Sequence, residues 1–314
     1  MTTTWLILTR AVHIGACLLL YGIFAFDRFV VTAIPANGKT ETGNYWQTRI
    51  RLFNLILLPI ILLTGFAWLA LVAMSISGQT LSNEILKIVW TQTQFGTVWK
   101  WRLIFWLVAA VITTFFYFSK SQTTFQKFLV WLQLSFSGAL LGSLAWAGHG
   151  QETSIWHLFA DVLHLLVAGF WPTGLLPLAL LLRKLRRTSE PAKKLPIAAL
   201  VRRFSVLSLG SVTLLAATGF INSWFLVGSF SDLLEQPYGR WLLVKIILFC
   251  FAVAIGAVNL LRLKPRLKIK NAQMQNVEAT AVQLQFNVQA ELFFGIAIVI
   301  VVAILGILPP AIAK

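Results

Sequence analysis

Leu52–Met74 reads LFNLILLPIILLTGFAWLALVAM, 23 residues without a charge. A helix of that length runs about 35 Å, enough to cross the ~30 Å hydrocarbon layer of a bilayer. Seven further runs have the same character: Trp5–Ile34, Val98–Phe118, Phe128–Ala147, Ile155–Leu182, Phe204–Val227, Trp241–Leu263 and Val288–Leu308. In lipid a backbone must satisfy its own hydrogen bonds, and these runs are too long and continuous for barrel strands, so they are helices. The chain is read as one all-α integral membrane domain, 1–314, with about eight transmembrane helices and the lipid bilayer as its solvent. Composition agrees: 58% of residues are hydrophobic, 11% are charged and the mean hydropathy is +0.80. A soluble domain carries about twice that share of charge.

The net charge of +16 does not point to nucleic acid, because the basic residues stand in short blocks beside apolar spans. The largest blocks are Arg183, Lys184, Arg186, Arg187, Lys193, Lys194, Arg202 and Arg203 after the fifth span, and Arg262, Lys264, Arg266, Lys268 and Lys270 after the seventh. Lys39, Arg49 and Arg51 follow the first span, and Lys120 and Lys127 the third, so the basic connections alternate as one face should. Lys87 is an exception on the other face. The positive-inside rule then puts both termini outside, in the periplasm if the cell is Gram-negative. The first run reads as a retained helix rather than a cleaved signal, since Arg10 alone stands for a basic leader and no small-x-small site follows. Cys17 and Cys250 both lie in apolar runs and make no disulfide framework.

The halves 1–150 and 151–314 look like copies. Thr64-Gly65-Phe66 matches Thr218-Gly219-Phe220, Gln94-Phe95-Gly96 matches Gln236-Pro237-Tyr238-Gly239, and Ala11-Val12-His13 matches Val162-Leu163-His164. Arg102 follows Gly96 by six residues, as Lys245 follows Gly239. Four helices per half give both copies one orientation, a parallel repeat about an axis along the membrane normal.

All four histidines, His13, His149, His157 and His164, fall in the outer half of the membrane or at its outer surface on this topology. His13 and His164 stand about nine residues into their helices, roughly 12–15 Å deep. His149 closes the fourth span. The sharpest pattern is His157-x3-Asp161-x2-His164. Spacings of four and three place these side chains on one helical face. Ionisable groups at membrane depth are costly unless they pair or line a cavity, so the stripe reads as a polar track leading inward from outside. Imidazole is a common ligand of copper, zinc and iron, and Asp161 is placed to fix the tautomer of a ligating histidine. Asp161 paired with Arg10 as a structural ion pair is the plainer alternative. Cys17, on the face of His13, is either a soft ligand for Cu(I) or a small buried hydrophobe. Glu152 is a loop carboxylate within reach of the track's mouth. Trp171-Pro172 is expected to kink the fifth helix below His164. Glu291 opens the last span near the basic connections, where it would anchor that helix electrostatically. Three methionines do not make a Met-rich relay, and no CxxC or Walker A motif is present.

The order of several short segments resembles the copper resistance protein D family, CopD. They are Ala147-Gly148-His149, Phe159 through Leu166 with Trp171 and Gly174, Thr218 through Trp224, Pro237-Tyr238-Gly239-Arg240 with Lys245, Asn259 through Pro265, Glu291, and Pro309-Pro310-Ala311. Pro172-Thr173 departs from the small residue and Gly expected after Trp171. The resemblance implies an eight-helix inner-membrane protein of copper transport or resistance, not an enzyme. With copper as the metal, the residues read above supply its site: His13, His164, His157 and His149, with Asp161, Cys17 and Glu152 in support. The resemblance also implies a separate periplasmic partner of the CopC type. The stripe enters from outside, which favours uptake over export. A runner-up follows from a distant similarity to the HemJ-type protoporphyrinogen oxidases: a b-type haem with His13 and His164 as axial ligands. A third possibility is a metal sensor or structural partner of a copper chaperone.

Overall fold

The computed structural model describes residues 2–31, 41–78, 80–118, 124–147, 154–186, 191–263 and 274–312, and among them there is no strand. The helices are α1 (Thr2–Phe26), α2 (Glu41–Ser77), α3 (Asn83–Gln92), α4 (Gln94–Phe118), α5 (Thr124–Gly142), α6 (Ile155–Arg186), α7 (Pro191–Val227), α8 (Phe230–Glu235), α9 (Pro237–Val258) and α10 (Met274–Leu305). Wider π turns close α1 at Asp27–Val31 and α9 at Asn259–Leu263. Seven helices are long and apolar enough to span a bilayer, and α5 contributes a shorter apolar stretch, Phe128–Gly142. The protein is an all-α, multi-pass integral membrane protein.

The two innermost helices are α1 and α6, whose spanning segments are 56% and 61% buried, against a third or less for the others. They pack on each other, α1 also against α2 and α5, and α6 also against α7 and α10. Their contact is too close for a side chain at Gly22, where a Cβ would run into Thr173 and the Gly169 carbonyl. Small residues at such a crossing let helix backbones meet, which is how helices associate where lipid removes the hydrophobic drive. Thr173 takes the place where a smaller residue was expected, and its hydroxyl donates to the Gly169 carbonyl, so no polar group is stranded. Helix α6 runs on through Pro172 and Pro177. Outward faces are apolar and bare, as lipid contact requires: Trp5, Val12, Phe118, Phe220, Trp224 and Phe293 are all exposed.

Two short helices, α3 and α8, were not expected. Each begins at a serine cap: Ser82 accepts from the Ile85 amide, and Ser229 accepts from the Asp232 amide at 3.1 Å while its hydroxyl donates to the Asp232 carboxylate at 2.6 Å. Each returns the chain into the next span through a glycine. Gly96 comes against the carbonyls of Val89 and Trp90, and Gly239 against those of Asp232 and Leu233. In both places these carbonyls belong to the residues seven and six before the glycine.

Candidate functional site

The stripe on α6 meets a second stripe on α7. His157, Asp161 and His164 face Phe225, Asn222 and Thr218, whose spacings of three and four mirror theirs on an antiparallel neighbour. The His157 ring stacks on Phe225, with centroids 5.0 Å apart and planes at 20°. Asn222 Nδ2 donates to Asp161 Oδ1 at 3.1 Å. His164 Nδ1 lies 2.9 Å from Thr218 Oγ1. The Thr218 hydroxyl spends its own proton on the Leu214 carbonyl at 2.6 Å, so it accepts from the imidazole. His164 is thereby held with its proton on Nδ1 and its lone pair on Nε2. Lys245, brought in by α9, acts electrostatically on both Asp161 and His164. Asp161 is therefore hydrogen-bonded to Asn222, whereas Arg10, its suggested partner, stacks over Trp68 at 4.6 Å.

The first half builds the same core differently. His13 Nδ1 lies 3.0 Å from Thr64 Oγ1, whose proton goes to the Ile60 carbonyl at 2.6 Å. The tautomer is again Nδ1–H. Here the Nε2 lone pair is taken: Arg102 Nη2 donates to it at 2.6 Å. The same nitrogen lies 3.8 Å from Cys17 Sγ, which is itself 3.8 Å from His13 Nε2. The other guanidinium nitrogen donates to the Leu140 carbonyl at 2.9 Å and to Ser143 at 2.7 Å. His13, Cys17 and Arg102 are each 1% exposed, and Trp68 and Trp99 wall the imidazole at 5.5 and 5.4 Å. Arg102 thus puts a fixed positive charge on the two atoms, Nε2 and Sγ, that a Cu(I) ion would use. With both ring nitrogens engaged, His13 also has none to offer a haem iron.

The described histidines are held in two places. His13 lies with α2, α4 and α5; His157, Asp161 and His164 lie with α7. His149 and Glu152 fall outside the described residues, and among those described no group of three or more His, Cys, Asp and Glu converges to hold a metal. Gly65 and Gly219 occupy equivalent positions, a Cβ on each coming 3.3 and 3.4 Å from the Cε1 of His13 and His164 respectively. Sequence reasoning named Thr64, Thr218, Arg102 and Lys245 as matching positions without recognising them as the histidines' partners. For Thr218, Asn222 and Phe225 a signal existed, the mirrored spacing. For Arg102 none did, because spacing along α4 does not say which neighbour it faces.

Fold and site together define a helical membrane protein that holds two histidine–threonine pairs between its helices. Within that class, the chain belongs to the copper resistance protein D family. The family model described as copper resistance protein D-like, N-terminal domain matches residues 1–158, and the model described as copper resistance protein D matches residues 198–305. Copper resistance protein D of Pseudomonas syringae pv. tomato is 28% identical over 257 residues, 79% of this chain and 80% of that protein. Copper transport protein CutJ of Bacillus subtilis (strain 168) is 31% identical over 191 residues, 60% of this chain and 32% of that longer protein. Inner membrane protein YebZ of Escherichia coli (strain K12) is 27% identical over 222 residues, 70% of each.

Proposed function

We propose that the protein moves copper across the membrane as a carrier rather than an enzyme, and that the second-half site receives the ion. The observation that carries this reading is the Thr218 bond, which leaves the Nε2 lone pair of His164 directed away from Thr218. A ligating histidine whose other nitrogen is held in this way is oriented and made more basic. Asp161 stands one turn further out on α6 and His157 one turn beyond it, a track for a cation arriving from the outer face. Lys245 holds the place of a cation beside Asp161, and an arriving copper ion competes with it. On this reading the first-half site is the same construction closed by Arg102, and the halves 1–150 and 151–314 are copies that have diverged. Both termini lie outside, a CopC-type protein delivers the ion, and movement is inward.

Elemental analysis of the detergent-purified protein, with an absorption spectrum on the same sample, tests the proposal. The expected result is about one copper per chain, lost in His164→Ala and retained in His13→Gln. Iron with a Soret band would place the protein with haem carriers instead. Copper lost equally from both variants would return His13 to the ligand set.

A further inference from the structure

Opposite the histidines lies a second polar place with different chemistry. A cavity of about 130 Å³ is lined by Trp171 of α6, Ser205 and Ser208 of α7, Gly256 and Asn259 of α9 and its π turn, and Glu291 of α10, among apolar side chains. Trp171 is seven residues beyond His164 and Asn259 fourteen beyond Lys245, about 10 and 21 Å further along their helices. The cavity thus belongs to the half of the bundle next to the basic connections. Glu291 was expected to open the last helix as an electrostatic anchor; it stands instead inside α10, which starts at Met274, and is 3% exposed. Its partners are neutral. Asn287 Nδ2 donates to Asn259 Oδ1 at 2.7 Å, and Asn259 Nδ2 donates to Glu291 Oε1 at 2.6 Å, a relay that ends on the carboxylate. The second oxygen, Oε2, faces Gly256, where a Cβ would come within 3.4 Å.

Glu291 is the one titratable group among the described residues lining this cavity. The nearby cations face elsewhere: Arg203 donates to the Phe29 carbonyl, and Arg202 and Arg262 are exposed. Ser208 Oγ is buried without a protein partner among the described residues, as expected of a hydroxyl that meets water. The volume admits several water molecules, and Ser205, Ser208, Asn259 and Glu291 supply the polar contacts such water needs. The donors are all oxygen, a set that suits neither Cu(I) nor the imidazole chemistry of the other half. An intramembrane carboxylate with water access and no counter-ion among the described residues suits a proton.

We propose that Glu291 is a proton-exchange site: its carboxylate takes a proton from hydronium in the cavity, leaving a carboxylic acid and water, and returns it by the reverse step. Its role as the coupling-ion site of a copper carrier rests on the function proposed above; the exchange itself does not. The full chain in lipid vesicles is titrated between about pH 5 and pH 10 and followed by infrared difference spectroscopy. The expected result is a protonated-carboxyl C=O band that appears with acid, is absent in Glu291→Gln and persists in Asp161→Asn. Asn259→Leu should keep the band and move it to higher frequency, because the hydrogen bond to Oε1 is gone. A wild-type spectrum with no Glu291-dependent change over this range overturns the proposal. Copper stoichiometry on the same vesicles separates the two readings: a protein that binds no copper fails as a copper carrier, while the band still decides Glu291.

Discussion

At the residue scale, the imidazoles are governed by what their threonines do with their own protons. Thr64 and Thr218 both back-bond to a carbonyl four residues earlier, which leaves each hydroxyl only as an acceptor and sets both histidines in one tautomer. Thr218→Val should therefore weaken copper binding by about tenfold or more without removing a ligand, measured by competition against a chelator of known affinity. Binding should also weaken in acid, since protons compete for the imidazole lone pair. The first-half site gives the converse test. Arg102→Met removes the charge seated on His13 Nε2 and Cys17 Sγ, and a second copper per chain is expected, absent from the His13→Ala/Arg102→Met double variant. If Arg102→Met binds no extra copper, the guanidinium is not what closes that site. The sequence pattern sufficed to single out His13, His157, Asp161, His164 and Cys17. Their states were not legible in it, because a tautomer is fixed by a neighbour on another helix.

At the scale of elements, the apolar runs located the long helices to within a few residues at the ends away from the basic connections, and fell short at the basic ends of α2, α7 and α10. Helices α2, α7 and α10 begin at Glu41, Pro191 and Met274, several turns before their apolar stretches. Helical hydrogen bonding continues past the membrane edge, where hydropathy no longer reports it. The short α8 left a readable mark in Ser229-x-x-Asp232, a reciprocal cap; Ser229→Ala should cost about 1 kcal/mol locally, seen as faster amide exchange over Phe230–Glu235. The contact between α1 and α6 was not legible, since nothing in Gly22 alone says that Thr173 lies opposite. Gly22→Val should lower the unfolding temperature by an overpacking cost of about 1–3 kcal/mol, and Thr173→Ala in the same chain should recover part of it. Additive losses in the double variant would mean the two residues do not meet.

At the scale of the whole molecule, the fold class followed from composition and run length alone, because the bilayer admits so few backbone solutions. The arrangement of helices around α1 and α6 did not, since every span is apolar enough to face either lipid or protein. The positive-inside reading makes a global prediction: reporters fused at either terminus should report the outer compartment, and one placed in the basic stretch near Lys193 the inner. Opposite results at the two termini would mean an odd number of crossings and would take the histidine track off the outer face.

The seam where Gly22 meets Gly169 and Thr173 lies beyond His164 along α6, level with Trp171 at the near end of the cavity of Glu291. Backbones in such close contact cannot approach further, and parting them would strip packing from the middle of the bundle. If the two halves rock, this seam is the fulcrum, and the bundle behaves as a seesaw. Both His164 and the cavity of Glu291 lie among helices of the second half, on one side of this seam, so such rocking would carry them together as one arm.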